Sequence, residues 1–255
     1  MRSLLFFLLV VACWEIVCRV SSIPSWMLPA PTAIVKALGK DTESLFKSFM
    51  FTAQLTVGAF LIAVVSGFLI GLAAHVSKNF RNSIFPFTIL LQTTPVVSVA
   101  PLLIIWFRNN AFLALLACAW LVCVYPMISS TVSGLGKADA NLQRLFSLYE
   151  APMFRRLWHL ELPSALPYIL NGLRICGGLS LVGAVGAEFV AGTGGQELGL
   201  AYRLLMAAYN QETARLFAVL AVVSAFGLLI HFALSAVESF VLRKLRLAPN
   251  SAAAV

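Results

Sequence analysis

Charge is what this sequence has least of. Asp, Glu, Lys and Arg make up 11% of its 255 residues, against about a quarter in an ordinary soluble domain. Together with 60% hydrophobic residues and a mean hydropathy of +0.92, this excludes a water-soluble enzyme with a conventional polar surface. It also excludes a disordered chain. Catalytic patterns are missing too. The sequence holds no Ser-His-Asp set, no HExxH and no Gly-rich phosphate cradle, and His75, His159 and His231 lie far apart. The cysteines, Cys13, Cys18, Cys118, Cys123 and Cys176, form no CxxC pair and sit in apolar stretches with no nearby His. They read as small buried hydrophobes rather than metal or redox groups. No cofactor or metal is expected on this chain.

The charge that remains is basic, 18 Lys and Arg against 10 Asp and Glu. In an apolar chain such a balance speaks of topology and of attraction to anionic lipid. No basic cluster with interleaved aromatics accompanies it, so nucleic acid is not an expected partner.

The gaps between charges supply the organisation. Residues 48–77, 82–107, 109–136 and 216–237 carry none, and each gap exceeds the roughly 20 residues that a helix needs to cross hydrocarbon. A fifth span runs from Ala165 to Ala191, interrupted by Arg174 and Glu188. A sixth covers Ser3 to Val20, with Glu15 and Arg19 near its far end. The run ending at Cys13 also has the look of a lipoprotein signal peptide, but the apolar stretch continues past it and favours an uncleaved helix. With the N-terminus inside, ten Lys and Arg fall on the cytoplasmic side and seven on the other, Arg174 lying within a span. This bias, led by Arg243, Lys244 and Arg246, predicts that both termini are cytoplasmic.

Two spans carry small residues at every fourth position: Ala59, Ala63, Gly67 and Gly71 in one, and Gly172, Cys176, Ser180 and Ala184 in another. Such faces let helix backbones approach closely where lipid supplies no hydrophobic force. The span 82–107 is less regular, with Pro86, Pro95 and Pro101 beside Gln92, Thr93, Thr94 and Ser98. Freed carbonyls and polar side chains at membrane depth belong in protein or against a wet cavity. These four residues are therefore candidates for a solute pathway, with Gln54, Asn171 and Glu188 as isolated additions. They also suit the simpler role of satisfying a kinked backbone. Arg174 and Glu188 lie within about 40° of one helical face but roughly 21 Å apart, too far to pair with each other.

The loop from Lys137 to Leu166 is the most informative segment. Leu142, Leu145, Phe146, Tyr149, Met153, Leu157 and Leu160 recur at helical spacing, the mark of an amphipathic helix. Pro152 suits a first helical turn, so two short helices are expected to meet near Glu150-Ala151. Physics alone leaves two readings: a helix pair lying in the lipid interface, or a knob that docks a cytoplasmic partner.

Beyond this loop the sequence Leu160-Glu161-Leu162-Pro163-Ser164-Ala165-Leu166-Pro167-Tyr168-Ile169-Leu170-Asn171-Gly172-Leu173-Arg174 strongly resembles the LPxALPYIxxGLR segment of bacterial ABC-importer permeases. The likeness is greatest to the nitrate, sulfonate and taurine type. Met27-Leu28-Pro29-Ala30-Pro31-Thr32, Pro101-Leu102-Leu103-Ile104-Ile105-Trp106-Phe107 and Ala187-Glu188-Phe189 match as well. The family's coupling signature reads EAA, three residues, Gly, nine residues, a hydrophobic residue, one residue and Leu-Pro. Anchored on Leu162-Pro163, it puts the hydrophobic position at Leu160, the glycine at Glu150 and the EAA at Arg144, Leu145 and Phe146. The literal Glu150-Ala151-Pro152 is out of register. Charge is thus reversed at Arg144, and the turn glycine is replaced.

The resemblance implies an all-α integral membrane protein with about six transmembrane helices and a cytoplasmic pair of coupling helices between spans four and five. Residues 1–50 would form an N-terminal helix and periplasmic segment, 51–246 the core permease domain and 247–255 a short cytoplasmic tail. It implies a non-catalytic subunit of the bacterial inner membrane, paired with a second permease copy. Two ATPase subunits holding ATP and Mg would dock on 144–163, through Arg144, Leu145, Phe146, Glu150, Ala151, Arg155, Arg156, Leu160, Leu162 and Pro163. A periplasmic or lipid-anchored binding protein would deliver a small organic solute. The alternative, a stand-alone secondary transporter or channel, would need its own coupling charges near mid-membrane.

Overall fold

The computed structural model describes residues 2–21, 24–107, 110–193 and 199–245. Among the described residues the regular structure is entirely helical. Four helices among the described residues are long and apolar enough to cross a membrane: Thr42–Val76, Ala111–Leu135, Met153–Gly192 and Thr213–Lys244. Arg246 and the tail 247–255, expected above on the cytoplasmic side, lie outside the described residues.

The chain divides into two compact units, and neither is one continuous stretch. One comprises Met1–Gln54 and Glu188–Gly227, the other Leu55–Ala187 and Leu228–Val255. Thr42–Val76, Leu162–Thr193 and Thr213–Lys244 each contribute residues to both.

In the larger unit the central element is α6, Ala111–Leu135. Asn110 caps it by accepting the Leu113 N–H at 3.2 Å. Both small-residue ladders pack on this helix. A methyl at Gly67 or Gly71 of α3 (Thr42–Val76) would meet the Met127 or Thr131 side chain at 2.7 Å. One at Gly172 of α9 (Leu162–Thr193) would meet Ser130 Cβ at 2.6 Å. Cys176 Sγ donates to the Cys123 carbonyl at 3.2 Å, so two of the five cysteines serve as small packing residues. Ile169, Ala165, Leu157, Leu135 and Met127 form the buried core here, with Val64, Phe68 and Leu72 packed against it.

The span expected over 82–107 is two helices, α4 (Lys78–Thr93) and α5 (Val96–Trp106). Thr94 is extended at φ −75°, ψ 120°, as the residue before a proline is driven to be. Pro95 offers no N–H to continue the ladder. Thr94 Oγ1 turns back to donate to the Leu90 carbonyl at 2.7 Å, and Thr93 Oγ1 donates to that of Ile89 at 3.1 Å. Pro95 thus breaks this span, where the sequence suggested a kink, while Pro86 and Pro101 lie inside α4 and α5. Both pieces pack against α6.

The segment after α6 also differs from expectation in its second half. The first short helix is present as α7, Ala140–Leu148, capped by Asp139 through the Asn141 N–H at 2.7 Å. The second is not separate. Pro152 is the N-cap of α8 (Met153–Arg156), which runs through a π-helical turn at Leu157–Glu161 into α9. The widened turn precedes Pro163, whose ring would clash with the His159 carbonyl in a regular helix. The helix expected from Ala165 consequently begins at Met153.

The smaller unit holds α1 (Arg2–Val20), α2 (Pro31–Lys40), α10 (Gly199–Tyr209) and the starts of α3 and α11 (Thr213–Lys244). Leu200, Leu204 and Val219 form its core, with Leu45, Phe49, Leu216, Val222 and Val223 packed around them. Asp41, just after α2, accepts from Arg215 at 2.6 Å and from Arg203 at 3.1 Å. Arg203 also donates to Ser44 and Ser48. This network ties the ends of four helices together.

Candidate functional site

Two features of the larger unit concentrate unsatisfied chemistry. The first is a cleft of about 580 Å³ lined by Gln92, Thr94, Val122, Tyr125, Pro126, Ser129, Ser130, Ile175 and Leu179. Its walls come from the end of α4, the middle of α6 and the middle of α9. Gln92 and Thr94 were expected from sequence. Tyr125, Ser129 and Ser130 were not, although their three- and four-residue spacing around Pro126, inside a charge-free span, was a usable signal.

Among the described residues, the side chains of Gln92, Tyr125, Ser129 and Ser130 make no hydrogen bond to another part of the chain. Their donors and acceptors are therefore open to whatever occupies the cleft. The wall also lacks one backbone donor, since Pro126 interrupts α6 and leaves the Val122 carbonyl without its usual N–H four residues on.

The other pathway candidates lie elsewhere. Thr93 is exposed and bonded to its own helix. Ser98 is exposed on α5. Asn171 Oδ1 accepts from Arg174 at 3.5 Å, and Arg174 pairs with Glu238 of α11 at 3.3 Å.

Gln54 and Glu188 belong to the other unit. Gln54 is exposed there, while Glu188 is fully buried. The Glu188 carboxylate accepts the Ala201 N–H at 3.1 Å, and Thr52 Oγ1 accepts that of Leu200 at 2.9 Å. Both therefore satisfy the exposed donors at the start of α10, where a carboxylate is electrostatically favoured. Gly199 stands at φ +83°, and a Cβ there would overlap that carboxylate. Within the fold, Glu188 is thus a helix cap.

The second feature is the segment from Ala140 to Glu161, for which the sequence left docking of a partner as an expectation. α7 closes in a Schellman turn: the Ala151 N–H reaches the Phe146 carbonyl at 3.0 Å and the Glu150 N–H that of Ser147 at 3.1 Å. Glu150 adopts φ +49°, the left-handed region in which glycine is favoured. This is the position that the sequence register assigned to a glycine.

Around the turn an apolar ridge stands in solvent, with Leu148 81%, Tyr149 78% and Phe154 70% exposed. Arg144 and Arg155 are exposed beside it, and Ala151 is half-buried. Leu145 is exposed and Phe146 half-buried, whereas Leu160 is buried and Leu162 packs against the core. Pro163 is exposed on the first turn of α9. Arg156 is turned to another task. Its Nε lies 2.8 Å from Glu161 Oε1, without the N–H being aimed at that oxygen. The other carboxylate oxygen meets His75 Nε2, at the end of α3, at 2.9 Å. Glu161 and His75 went unassigned in the sequence, because nothing in their spacing brings residues 86 apart together.

Residues 63–244 match the family described as the binding-protein-dependent transport system inner membrane component. The chain is 29% identical over 240 residues to the formylaminopyrimidine transport permease protein ThiX of Halalkalibacterium halodurans, covering 93% of each chain. It is 28% identical over 229 residues to the putative aliphatic sulfonates transport permease protein SsuC of Bacillus subtilis, covering 89% of this chain and 81% of that one. Its fold is similar to that in a crystal structure of an amino acid ABC transporter with histidines, at a TM-score of 0.63 and 18% identity, over 84% of this chain and 97% of that one. The chain belongs to the family of binding-protein-dependent transport system inner membrane components, the permeases of ABC importers.

Proposed function

We propose that this multi-pass inner-membrane permease carries a small organic solute along the α4–α6–α9 cleft, driven by ATPase subunits that dock on residues 144–163. In this reading α1 and the α4–α5 pair complete six crossings. Both termini face the cytoplasm, a second copy of the chain supplies the opposite wall, and a periplasmic binding protein delivers the solute. ATP and Mg belong to the ATPase, and the permease itself performs no chemistry.

The observation that carries the proposal is the exposed ridge of Leu148, Tyr149 and Phe154 at the Schellman turn. Apolar side chains gathered on a rigid turn and flanked by Arg144 and Arg155 fit a partner's groove. The connection to the cleft is mechanical. α8, the π turn and α9 form one run from Met153 to Gly192, and Ile175 and Leu179 on that run line the cleft. A displacement at the ridge is thus passed along a continuous helix to the solute's walls, a bistable arrangement that nucleotide in the partner would bias.

The test is co-purification. Leu148→Ser with Phe154→Ser removes two of the ridge's three side chains without touching a buried residue, and a tagged chain carrying both should lose the ATPase that the unaltered chain retains. Equal recovery from the two would overturn the docking assignment. Transport persisting in the purified chain alone would favour a stand-alone transporter.

A further inference from the structure

The cleft's hydrogen-bonding character is uneven, and that unevenness selects among solutes. Thr94 commits its hydroxyl proton to the Leu90 carbonyl at 2.7 Å, so only its lone pairs remain for an occupant. Pro126 leaves the Val122 carbonyl short of its helical donor, which adds a second obligate acceptor to the wall. Gln92, Tyr125, Ser129 and Ser130 can each accept or donate. The described lining contains no charged side chain.

An occupant made only of negatively charged acceptors would face two acceptor groups with nothing to give them. It would also lose its hydration without a counter-charge, which is costly in a partly apolar site. A solute bearing N–H or O–H groups satisfies Thr94 and Val122 and pairs with the four ambivalent groups. The remaining wall is Pro126, Ile175, Leu179 and the Tyr125 ring. Apolar and aromatic surface of this kind covers the faces of a planar ring while polar groups fix its edge. The volume of about 580 Å³ accommodates one such ring with its substituents.

We infer that the cleft is selective for an uncharged ring solute carrying N–H or O–H donors, and against oxyanions such as nitrate or alkanesulfonates. The inference rests on the cleft being the permease pathway, and it concerns only what passes there.

The complete transporter, isolated through a tag on this chain with its ATPase and binding protein, would be reconstituted in liposomes. It would be offered a formylaminopyrimidine, riboflavin, methanesulfonate and nitrate in turn. ATP-dependent uptake of the pyrimidine or the flavin, with neither oxyanion accumulated, is the expected result. Replacing Ser129 and Ser130 together by Ala should raise KM for that ring solute about tenfold, the equivalent of one lost hydrogen bond. ATP-dependent uptake of methanesulfonate or nitrate, or of none of the four solutes, overturns the selectivity while leaving the transporter reading standing if ATP hydrolysis still responds to the binding protein. A preparation in which no ATPase accompanies the chain contradicts the transporter reading itself.

Discussion

Glu161 Oε2 lies 2.9 Å from His75 Nε2, joining the end of α3 to the π-helical turn that leads from α8 into α9. The carboxylate is 3% exposed and also meets Arg156 at 2.8 Å. Three polar groups thus meet where α8 passes into α9, and they hold the base of α9 against α3.

Replacing Glu161 by Ala should leave His75 and Arg156 without their partner. The expected loss is about 1–3 kcal/mol, the cost of stranding a largely buried donor. A lowered midpoint of thermal unfolding in detergent is the readout, and Glu161→Gln, which keeps an acceptor for His75, should fall between the two. An unchanged midpoint for Glu161→Ala would show that the contact adds nothing to the fold.

Glu150→Gly should be stabilising. Glu150 sits at φ +49°, and a side chain there costs roughly 1 kcal/mol relative to glycine. Glu150→Ala should show no comparable gain, because the penalty belongs to any Cβ. Equal gains for both would assign the effect to the charge instead.

Gly172→Ala should disturb the α6–α9 crossing, where a methyl would meet Ser130 Cβ at 2.6 Å. Overpacking of this kind costs about 1–3 kcal/mol. Gly178 and Gly186 on the same helix have nothing within 4 Å of such a methyl, so their Ala variants should retain the parent's thermal midpoint or slightly exceed it. The comparison fails if all three variants behave alike.

Glu188→Ala should loosen the start of α10 by removing the acceptor of the buried Ala201 N–H, at about 1–3 kcal/mol. Glu188→Gln keeps an acceptor and should be milder. Protease cleavage between residues 193 and 205, followed by mass spectrometry, would report the difference. Equal cleavage of both variants and the parent would remove Glu188 from its role as cap.

Much of the site was legible in particular residues. The Leu162-Pro163 anchor placed a glycine position at Glu150, and the backbone there is left-handed. The small-residue ladders announced close packing, and both lie against α6. Gln92 and Thr94 signalled the cleft because polar groups beside a proline stand out in an apolar run. Thr93 and Ser98 gave the same signal but do not line the cleft, since proximity in sequence does not fix which way a broken helix turns.

The sequence by itself determined the membrane class, the main apolar helices, the Schellman-turn position and the family. The first two rest on local composition and periodicity, and the last two on the family resemblance of short motifs; none needs knowledge of distant residues. Only the tertiary structure decided that Tyr125, Ser129 and Ser130 complete the cleft and that Glu188 caps α10. It likewise joined His75 to Glu161, 86 residues away, and carried α8 straight into α9. The reason is physical. Side chains from separate helices acquire a shared role only after packing selects which faces meet, and that selection depends on all the helices together.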